Sequence, residues 1–336
     1  MARLRPRALI LAPFAPETLA ALSRHVDVQH ESWMETRKLW DPEELGTRLQ
    51  DERFSLLVVE ADFVFEEVFE EAPGLRFVGV CRGGVTNVDV DAATAHGVLV
   101  VNTPGRNATA VAEMTLAFML ALARRLPSSN DLVKRGGWTD PVTPYFTQRG
   151  SELAGKTAGL IGCGAVGARA ARLLRAVGMK VLVYDPYAAE EAVRRAGGRA
   201  AALDDLLRRS DFVSLHCADT EETSGMIDAE RIAMMKPGAF VVNTACSSAI
   251  DADALTQALR EGRVAGAALD VFPSHPVTPS YPLLALDNVI VTPHLGGATA
   301  ETVHRQSNMI AHDLRRFLKG RRPLHLLNPE VWPAHV

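Results

Sequence analysis

The sequence predicts an α/β protein with two domains, each built on a doubly wound parallel sheet. Short and almost uninterrupted apolar runs alternate with helix-like segments along most of the 336 residues, a pattern typical of parallel strands that are buried on both faces. Repeated βα units of this length favour doubly wound sheets. A glycine-rich strand, turn and helix that begin at Ala158 are the third observation. A chain of this length can also form two complete hydrophobic cores.

Composition excludes several classes of protein. Hydrophobic residues make up 47% and charged residues 23% of the chain, as in globular proteins. The net charge of −4 argues against a nucleic-acid partner. The apolar run Val111–Ala123 contains Glu113 and is too short to span a bilayer, so no membrane segment is expected. The opening MARLRPRALILAPF is interpreted as a first strand and not as a signal peptide, because its apolar part is short and lacks a cleavage site.

The four cysteines are scattered and include no C-x-x-C pair. This spacing favours reduced thiols over disulfides or a zinc site, and it predicts a cytoplasmic protein without a bound metal.

Residues 1–103 are predicted to form a βα domain without a G-x-G-x-x-G motif of its own. Its predicted strands are Ala8–Leu11, Leu56–Val59, Phe77–Val80 and Val98–Val101, and its predicted helices are Pro16–His25, Pro42–Asp51 and Ala92–His96. Arg82, Gly83 and Gly84 directly follow one of these strands. Open α/β sheets bind ligands at the carboxyl ends of their strands. Arg82 is therefore either a substrate contact or an ordinary surface residue.

The next segment predicts one long helix from Arg106 to Leu126, which Pro127 ends. Because this helix is apolar on most faces from Val111 onward, we expect it to be buried between domains or subunits. Trp138–Gly150 contains two prolines and is expected to be an irregular surface or interface loop.

The glycine-rich unit predicts dinucleotide binding. Gly162, Gly164 and Gly167 follow the strand Ala158–Ile161 in G-x-G-x-x-G spacing, and Asp185 ends the next strand. In this motif the first glycine permits a tight turn, the second lets the backbone approach a pyrophosphate, and the third allows close packing of helix and strand. The following helix offers its N-terminal N–H groups to the phosphates. An ordinary glycine-rich turn would leave Asp185 unexplained.

The βα pattern continues after Asp185. The predicted helices are Leu203–Arg209, Ala229–Met234, Asp253–Glu261 and Ala300–Leu318, and the predicted strands are Phe212–Leu215, Ala239–Val242, Ala265–Leu269 and Asn288–Thr292. The last helix is long enough to return to the N-terminal domain.

From Val80 to Phe317 the chain resembles the NAD-dependent D-isomer-specific 2-hydroxyacid dehydrogenases, the family of phosphoglycerate and glycerate dehydrogenase-like enzymes. Besides the glycine-rich unit, the similar motifs are NVD and AAT (87–94), NTPGRNATAVAEMTLAFMLALAR (102–124), SLH (214–216), MKPGAFVVNTA (235–245), ALDVF (268–272) and TPHLGGAT (292–299). The resemblance implies a flavodoxin-like substrate domain (1–103 and 299–336), a Rossmann domain that binds NAD (104–298), a cleft between them where catalysis occurs, and a homodimer joined through the cofactor domains.

The resemblance and the glycine-rich unit together imply a set of binding residues. The expected cofactor-binding residues are Gly162, Gly164, Ala165, Val166, Gly167, Asp185, Pro186, His216, Cys217, Thr223, Thr244, Ala245, Cys246, Asp270, His294, Gly296 and Gly297. The expected substrate-binding residues are Arg82, Gly83, Gly84, Val85 and Asn107. Asp185 would bond the ribose hydroxyls and repel a 2′-phosphate, which favours NAD over NADP.

The catalytic positions match the family only in part. His294, in TPHLGG, corresponds to the family's acid/base, and an imidazole suits that role because it titrates near working pH. The resemblance places Cys246 at the family's catalytic Arg position and His275 at its Glu position. A missing guanidinium removes charge-assisted hydrogen bonds worth roughly 1.5–3 kcal/mol each. Ordinary reduction of a 2-oxo acid is therefore expected to be slow or altered.

Three hypotheses on function follow. In the first, the protein is an NAD-dependent oxidoreductase for a small 2-hydroxy acid, including a sugar-derived or phosphorylated one, and Arg82 or Arg106 supplies the missing charge. In the second, it is an NAD-binding sensor or scaffold with lost or altered turnover. In the third, Cys246 is a nucleophile with His275 or His294 as its base; the simpler interpretation is a small buried residue that fills the space of the missing Arg.

Overall fold

The computed structural model describes residues 5–332. The first four residues of the segment MARLRPRALILAPF therefore lie outside the described residues. The same holds for residues 1–4 and 333–336 of the predicted substrate domain. The strands are β1 Arg7–Ile10, β2 Asp27–His30, β3 Leu56–Val59, β4 Phe77–Val80, β5 Leu99–Val101, β6 Thr157–Ile161, β7 Lys180–Tyr184, β8 Arg199–Ala200, β9 Phe212–Leu215, β10 Ala239–Asn243, β11 Val264–Leu269 and β12 Val289–Val291. The α-helices are α1 Pro16–Leu22, α2 Trp33–Thr36, α3 Pro42–Asp51, α4 Glu66–Glu71, α5 Val90–Ala95, α6 Ala108–Ala123, α7 Leu126–Lys134, α8 Thr143–Thr147, α9 Ala165–Ala176, α10 Glu190–Arg195, α11 Leu203–Arg209, α12 Ala229–Met234, α13 Ala252–Arg260 and α14 Ala300–Leu318.

The chain divides into two compact units. The first contains the described residues up to Arg106 and from Thr299 onward, and the second contains Asn107–Ala298. The expected domain boundary after Thr103 lies in the same connection between β5 and α6.

The first unit is a five-stranded parallel sheet in the order β2-β1-β3-β4-β5, which is the flavodoxin-like order. Strands β3 and β4 are buried along their whole length. Helix α14 packs on this sheet through Ile310 and Leu314, which are fully buried with Phe77 of β4. The return of the last helix to the N-terminal part of the chain therefore matches the prediction.

The second unit is a seven-stranded parallel sheet in the order β12-β11-β10-β9-β6-β7-β8. Numbered from its own first strand, this is the Rossmann order 3-2-1-4-5-6, extended by one strand. One core cluster lies against α11, α12 and α13, and another lies against α6 and α9, so both faces of the sheet are covered. The predicted fold class, two doubly wound parallel-sheet domains, is confirmed.

The single helix predicted from Arg106 to Leu126 is wrong. Helix α6 ends at Ala123, Arg125 adopts a positive φ of 50°, and a second helix, α7, then starts at Leu126. Pro127 lies in the first turn of α7, where its missing N–H has no helical partner to lose. The buried face of α6 belongs to the core of the second unit, with Met119 fully buried beside α9.

Other differences involve short segments. The edge strand β2 was predicted as neither helix nor strand, because its residues are only partly buried and show no apolar run. Helices α2, α4 and α10 and the two-residue strand β8 were also missed, since short segments carry little periodic signal. The region Trp138–Gly150 is not wholly irregular: Asp140 accepts hydrogen bonds from the N–H groups of Val142 and Thr143 at 2.8 and 2.7 Å and thereby starts α8.

Among the described residues, no helix combines the length and the apolar character needed to cross a membrane.

Candidate cofactor and active site

The glycine-rich turn lies where the strand order of the second unit reverses, between β6 and its neighbours β7 and β9. Gly162 has a φ of 101°, and a Cβ there would lie 2.6 Å from the carbonyl oxygen of His216. A Cβ on Gly167 would lie 2.1 Å from the carbonyl oxygen of Gly162. In contrast, a Cβ on Gly164 would meet no described atom within 4 Å. The turn is thus tightly packed on its protein side and open at Gly164, as a pyrophosphate site requires.

Helix α9 begins directly at this turn. Gly164 is its N-cap residue and provides no capping side chain, so the first N–H groups of the helix, at Ala165 and Val166, have no intrahelical acceptor. Gly164 and Ala165 are exposed. An uncapped and exposed helix N-terminus after a glycine turn is suited to binding phosphate groups.

Asp185 connects the turn to the end of β7. One carboxylate oxygen accepts from the N–H of Cys163 at 2.7 Å, and the other accepts from Tyr187 and Ala188 at 2.9 and 3.0 Å. A carboxylate offers about four lone-pair sites, so these bonds leave room for about one further donor. The residue therefore stabilises the turn in addition to its expected contact with ribose, and the exposed Pro186 follows it.

His216 follows β9 and lies beneath the turn. Its Nε2 lies 3.0 Å from the hydroxyl of Ser214, while its buried Nδ1 has no hydrogen-bond partner among the described residues. Desolvation lowers the pKa of His216 to about 4, so the ring is neutral at physiological pH. A buried nitrogen without a partner, next to an open glycine turn, fits the binding of a polar group such as a dinucleotide.

The segment after β10 brings Thr244, Ala245 and Cys246 to the same edge of the sheet. The side-chain amide of Asn243 makes two hydrogen bonds to this segment. Its Oδ1 accepts from the N–H of Ala245 at 3.1 Å, and its Nδ2 donates to the carbonyl of Cys246 at 2.7 Å. The Thr244 hydroxyl lies 3.4 Å from that of Thr115. Cys246 is only 6% exposed, and its Sγ lies 4.0 Å from the Sγ of Cys217.

Asp270, at the end of β11, organises the loop that carries His294. The residue is only 2% exposed. Its carboxylate accepts from the hydroxyl of Thr292 and, at 2.7 Å each, from the N–H groups of Leu295 and Gly296. His294 itself has a φ of 56°, a conformation that costs a non-glycine residue of order 1–3 kcal/mol. The buried carboxylate therefore holds the acid/base candidate in a strained backbone geometry.

His294 and His275 form a hydrogen-bonded pair. The Nδ1 of His294 lies 3.0 Å from the Nε2 of His275, and the ring centroids are 5.0 Å apart. Both side chains are exposed. This bond occupies Nδ1 of His294.

Two further residues of the predicted site, Asn107 and Thr223, make contacts within their own surroundings. Asn107 precedes α6, and a Cβ on Gly297 would lie 3.1 Å from its Nδ2, so the two residues pack closely. The Thr223 hydroxyl donates to the carbonyl of Ala218 at 2.7 Å and accepts from the N–H of Thr220 at 3.0 Å, which gives it a role in shaping its own loop.

In the first unit, Arg82, Gly83, Gly84 and Val85 follow β4. The carbonyl of Arg82 accepts from the N–H of Thr103 at 2.9 Å, and the carbonyl of Gly83 accepts from the side chain of Asn102 at 2.7 Å. Within residues 5–332 the N–H groups of Gly83, Gly84 and Val85 donate to no described acceptor. Arg82, Gly83 and Gly84 are exposed. Successive unpaired N–H groups are able to bind an anion.

The side chain of Arg106 is paired with Glu60 and Gln306. Its guanidinium lies 2.8 Å from the carboxylate of Glu60 and donates to Gln306, and both charged side chains are mostly buried. Because Glu60 balances its charge, Arg106 is a poor candidate for a cation that binds substrate.

Sequence reasoning missed the residues that position the site. Asn243, Thr292, Asn102 and Thr103 bind the functional loops and have no catalytic chemistry of their own. Each lies inside a motif of the family resemblance, but nothing in its residue type distinguishes it from a surface residue before the chain is folded.

Residues 116–296 match the family described as D-isomer specific 2-hydroxyacid dehydrogenase, NAD binding domain. The chain is similar to a glyoxylate reductase of Thermofilum pendens, with 38% identity over 97% of this chain and 96% of that one. It is also similar to a D-3-phosphoglycerate dehydrogenase of Mycobacterium tuberculosis, with 40% identity over 94% of this chain but only 57% of that longer protein.

Solved structures are similar along nearly the whole chain. The TT0316 protein from Thermus thermophilus has a TM-score of 0.83 and 33% identity, covering 96% of this chain and 99% of that one. The holo form of D-mandelate dehydrogenase from Rhodotorula graminis has a TM-score of 0.82 and 26% identity, covering 96% and 97%.

Proposed function

Because the chain belongs to the family of D-isomer specific 2-hydroxyacid dehydrogenases, we propose that it interconverts a small D-2-hydroxy acid and its 2-oxo acid at an atypical active site. It is an oxidoreductase, and its cofactor is NAD. In the proposal, Cys246 and His275 occupy the catalytic Arg and Glu positions of the family. The hydrogen bond between His294 and His275 is the observation that carries the proposal, because it gives the acid/base a partner without a carboxylate.

The proposed cofactor contacts are those of the glycine-rich unit. Gly164 and the first turn of α9 would hold the pyrophosphate, and the remaining lone pair of Asp185 would accept from a ribose hydroxyl. When bound, the nicotinamide ring supplies a hydride to the 2-oxo carbon or takes one from the 2-hydroxy carbon. Asp270 acts in this proposal through the loop that it holds.

The proton would be exchanged at Nε2 of His294. If His275 accepts from the Nδ1–H of His294, then His294 keeps this proton throughout and its Nε2 alternates between donor and acceptor. A neutral acceptor can select the tautomer in this way, as a carboxylate does elsewhere. His275 cannot stabilise the imidazolium by charge, and we therefore expect a slower reaction than with a carboxylate partner.

The substrate carboxylate would bind to the N–H groups of Gly83, Gly84 and Val85, with Arg82 as the nearby cation. Three unpaired N–H groups on an exposed loop support this assignment. Arg106 is not retained as the source of charge, because Glu60 already neutralises it.

The nucleophile hypothesis for Cys246 lacks a base. In the part of the chain that the structure describes, its side-chain partners are Cys217 and Ser248 and neither histidine is among them. Its burial favours the simpler interpretation, in which a small residue fills the space of the missing Arg.

The proposed function is tested by mixing the purified protein with NADH and a panel of 2-oxo acids that starts with glyoxylate and hydroxypyruvate. We expect a loss of NADH absorbance with at least one acid and the reverse reaction with the matching D-2-hydroxy acid and NAD. Binding of NADH without turnover of any acid, in either direction, would replace this proposal by the alternative of an NAD-binding sensor or scaffold.

Arg82→Ala is expected to lower kcat/KM for the best acid by about 10- to 150-fold, the equivalent of one charge-assisted hydrogen bond, with unchanged NADH affinity. Arg24→Ala is the matched control, since it removes the same charge from an exposed site on the same unit. Equal kcat/KM values for the two variants would remove Arg82 from the substrate site.

We also propose a homodimer joined through the second unit. Large apolar side chains are exposed around α7 and α8, including Trp138, Tyr145 and Phe146, which are 60%, 70% and 69% exposed. Exposed patches of this kind often mark protein interfaces. Sedimentation equilibrium should give about twice the chain mass of 36.3 kDa, and Phe146→Asp should shift the protein towards monomer. A monomeric wild-type protein at micromolar concentration would contradict the proposal.

The cytoplasmic location stays a prediction.

A further inference from the structure

Cys217 and Cys246 lie 29 residues apart in the sequence but are brought together by strand pairing, with their Sγ atoms 4.0 Å apart. Strands β9 and β10 are parallel neighbours whose register ends with Leu215 beside Asn243. The segments that follow the two strands leave the sheet at the same edge. Cys217 and Cys246 lie two and three residues after the last paired residues. A disulfide requires an S–S distance of about 2.05 Å, so the two sulfurs need to approach by about 2 Å.

The surroundings favour oxidation of this pair over the other thiols. The hydrogen bond between the two thiols, together with one from Ser248, lowers the pKa of Cys246 against the opposing effects of burial and of the Asp219 carboxylate, while the pKa of Cys217 is raised. Cys81 is fully buried, and burial raises its pKa. Desolvation and the nearby Asp185 raise the pKa of Cys163. Since the thiolate is the reactive form, Cys246 is the thiol best prepared to react with an oxidant, and it has a second thiol beside it.

The backbone of Cys217 packs directly against the glycine-rich turn. A Cβ on Gly162 would lie 2.8 Å from the backbone nitrogen of Cys217, so this backbone has no slack against the turn. In the second segment, the carbonyl of Cys246 accepts a hydrogen bond from the side chain of Asn243. Movement of the Cys217 backbone as the two sulfurs approach would therefore act directly on the turn.

We propose that Cys217 and Cys246 form a dithiol/disulfide couple that hydroperoxides oxidise, and that the disulfide weakens the binding of NADH. The effect on NADH rests on the proposed cofactor site, whereas formation of the disulfide does not. Oxidation of Cys246 in the loop after β10 thus connects the redox state of the protein to its cofactor affinity.

The chemistry balances with a hydroperoxide as the only oxidant. The Cys246 thiolate attacks the terminal oxygen of the hydroperoxide, the O–O bond breaks, and the alcohol (or water, from hydrogen peroxide) leaves after taking up a proton. The sulfenic acid on Cys246 is then attacked by Cys217, the S–O bond breaks, and the hydroxide leaves as water with the proton of Cys217. Two thiols lose two electrons in total, and a small-molecule dithiol such as dithiothreitol reverses the oxidation.

The test uses the full chain, reduced with dithiothreitol, desalted and divided into untreated and hydrogen peroxide-treated samples. Free thiols are alkylated, the protein is digested, and peptides are mapped by mass spectrometry. We expect one cross-linked peptide pair joining Cys217 to Cys246, with Cys81 and Cys163 still alkylated. Absence of this cross-link at peroxide doses that leave the protein folded would overturn the couple, whatever the outcome for NADH.

The second readout is the dissociation constant of NADH from fluorescence titration. We expect the oxidised protein to bind NADH at least about fivefold more weakly than the reduced protein, and dithiothreitol to restore the affinity. Cys217→Ser, compared with its own untreated sample, should lose this response, and Cys163→Ser should keep it. A cross-link that leaves NADH affinity unchanged, or an equal response in Cys217→Ser, would overturn the regulatory role. If the reduced protein fails to bind NADH, the cofactor assignment fails, while the peptide map still decides whether the couple exists.

Discussion

His294→Asn is expected to lower kcat for reduction of the best 2-oxo acid by about 10²- to 10⁴-fold, the usual contribution of a general acid. Asparagine is chosen because it tolerates a positive φ better than most residues, and His294 has a φ of 56°. The contacts of Asp270 to Leu295 and Gly296 use backbone N–H groups and remain available in the variant. NADH oxidation under saturating substrate measures the effect, and NADH titration checks that the cofactor still binds.

His275 provides the internal comparison for this prediction. His275→Gln retains a side-chain oxygen that can accept from the Nδ1–H of His294, whereas His275→Ala retains none. We therefore expect the Gln variant to keep more activity than the Ala variant, and both to exceed His294→Asn. Wild-type kcat in His294→Asn would show that another group moves the proton.

Gly164→Ala is expected to raise the dissociation constant of NADH by about tenfold or more, equivalent to at least about 1.4 kcal/mol, without a change in thermal stability. The added Cβ meets no described atom within 4 Å, and the backbone at φ −66° and ψ −163° is accessible to alanine. The protein should therefore fold normally. The methyl group would project into the space that the pyrophosphate is proposed to occupy.

Two other glycines serve as controls for Gly164. Gly74→Ala also places a Cβ in open space, far along the chain from the motif, and should change neither stability nor NADH affinity. Gly167→Ala places a Cβ 2.1 Å from the carbonyl oxygen of Gly162 and should lower the melting temperature in addition to weakening NADH binding. Unaltered NADH affinity in a folded Gly164→Ala variant would exclude the turn as the pyrophosphate site.

Much of the fold could be predicted because buried parallel strands produce apolar runs that are visible without tertiary information. The strands β3, β4 and β9 and the helix α14 have the bounds that the sequence predicted. The wrong or missing secondary-structure predictions have local reasons. Pro127 is compatible with either the end or the first turn of a helix, and only the positive φ at Arg125 separates α6 from α7. The edge strand β2 is partly exposed and therefore lacks the apolar run of a central strand.

The roles of charged residues depended on the folded structure. Arg106 is a candidate cation in the sequence, but its pairing with Glu60, 46 positions earlier, removes it from that role. Asp185 and Asp270 were predicted as cofactor contacts, and both carboxylates are largely occupied by backbone N–H groups of neighbouring loops. A carboxylate's partners are set by which loops meet at the sheet edge, and residue type does not reveal them.

The sequence by itself predicted the two doubly wound sheets and the glycine-rich turn with Asp185, because each depends on local spacing, and the family resemblance of its motif singled out His294. Only the tertiary structure decided that His275 bonds to His294 across 19 residues and that Cys217 meets Cys246 across 29. Both pairs form because parallel strands deliver the segments after their carboxyl ends to one edge of the sheet. The scattered cysteines predicted reduced thiols, and only the pairing of β9 with β10 shows that two of them lie with their Sγ atoms 4.0 Å apart.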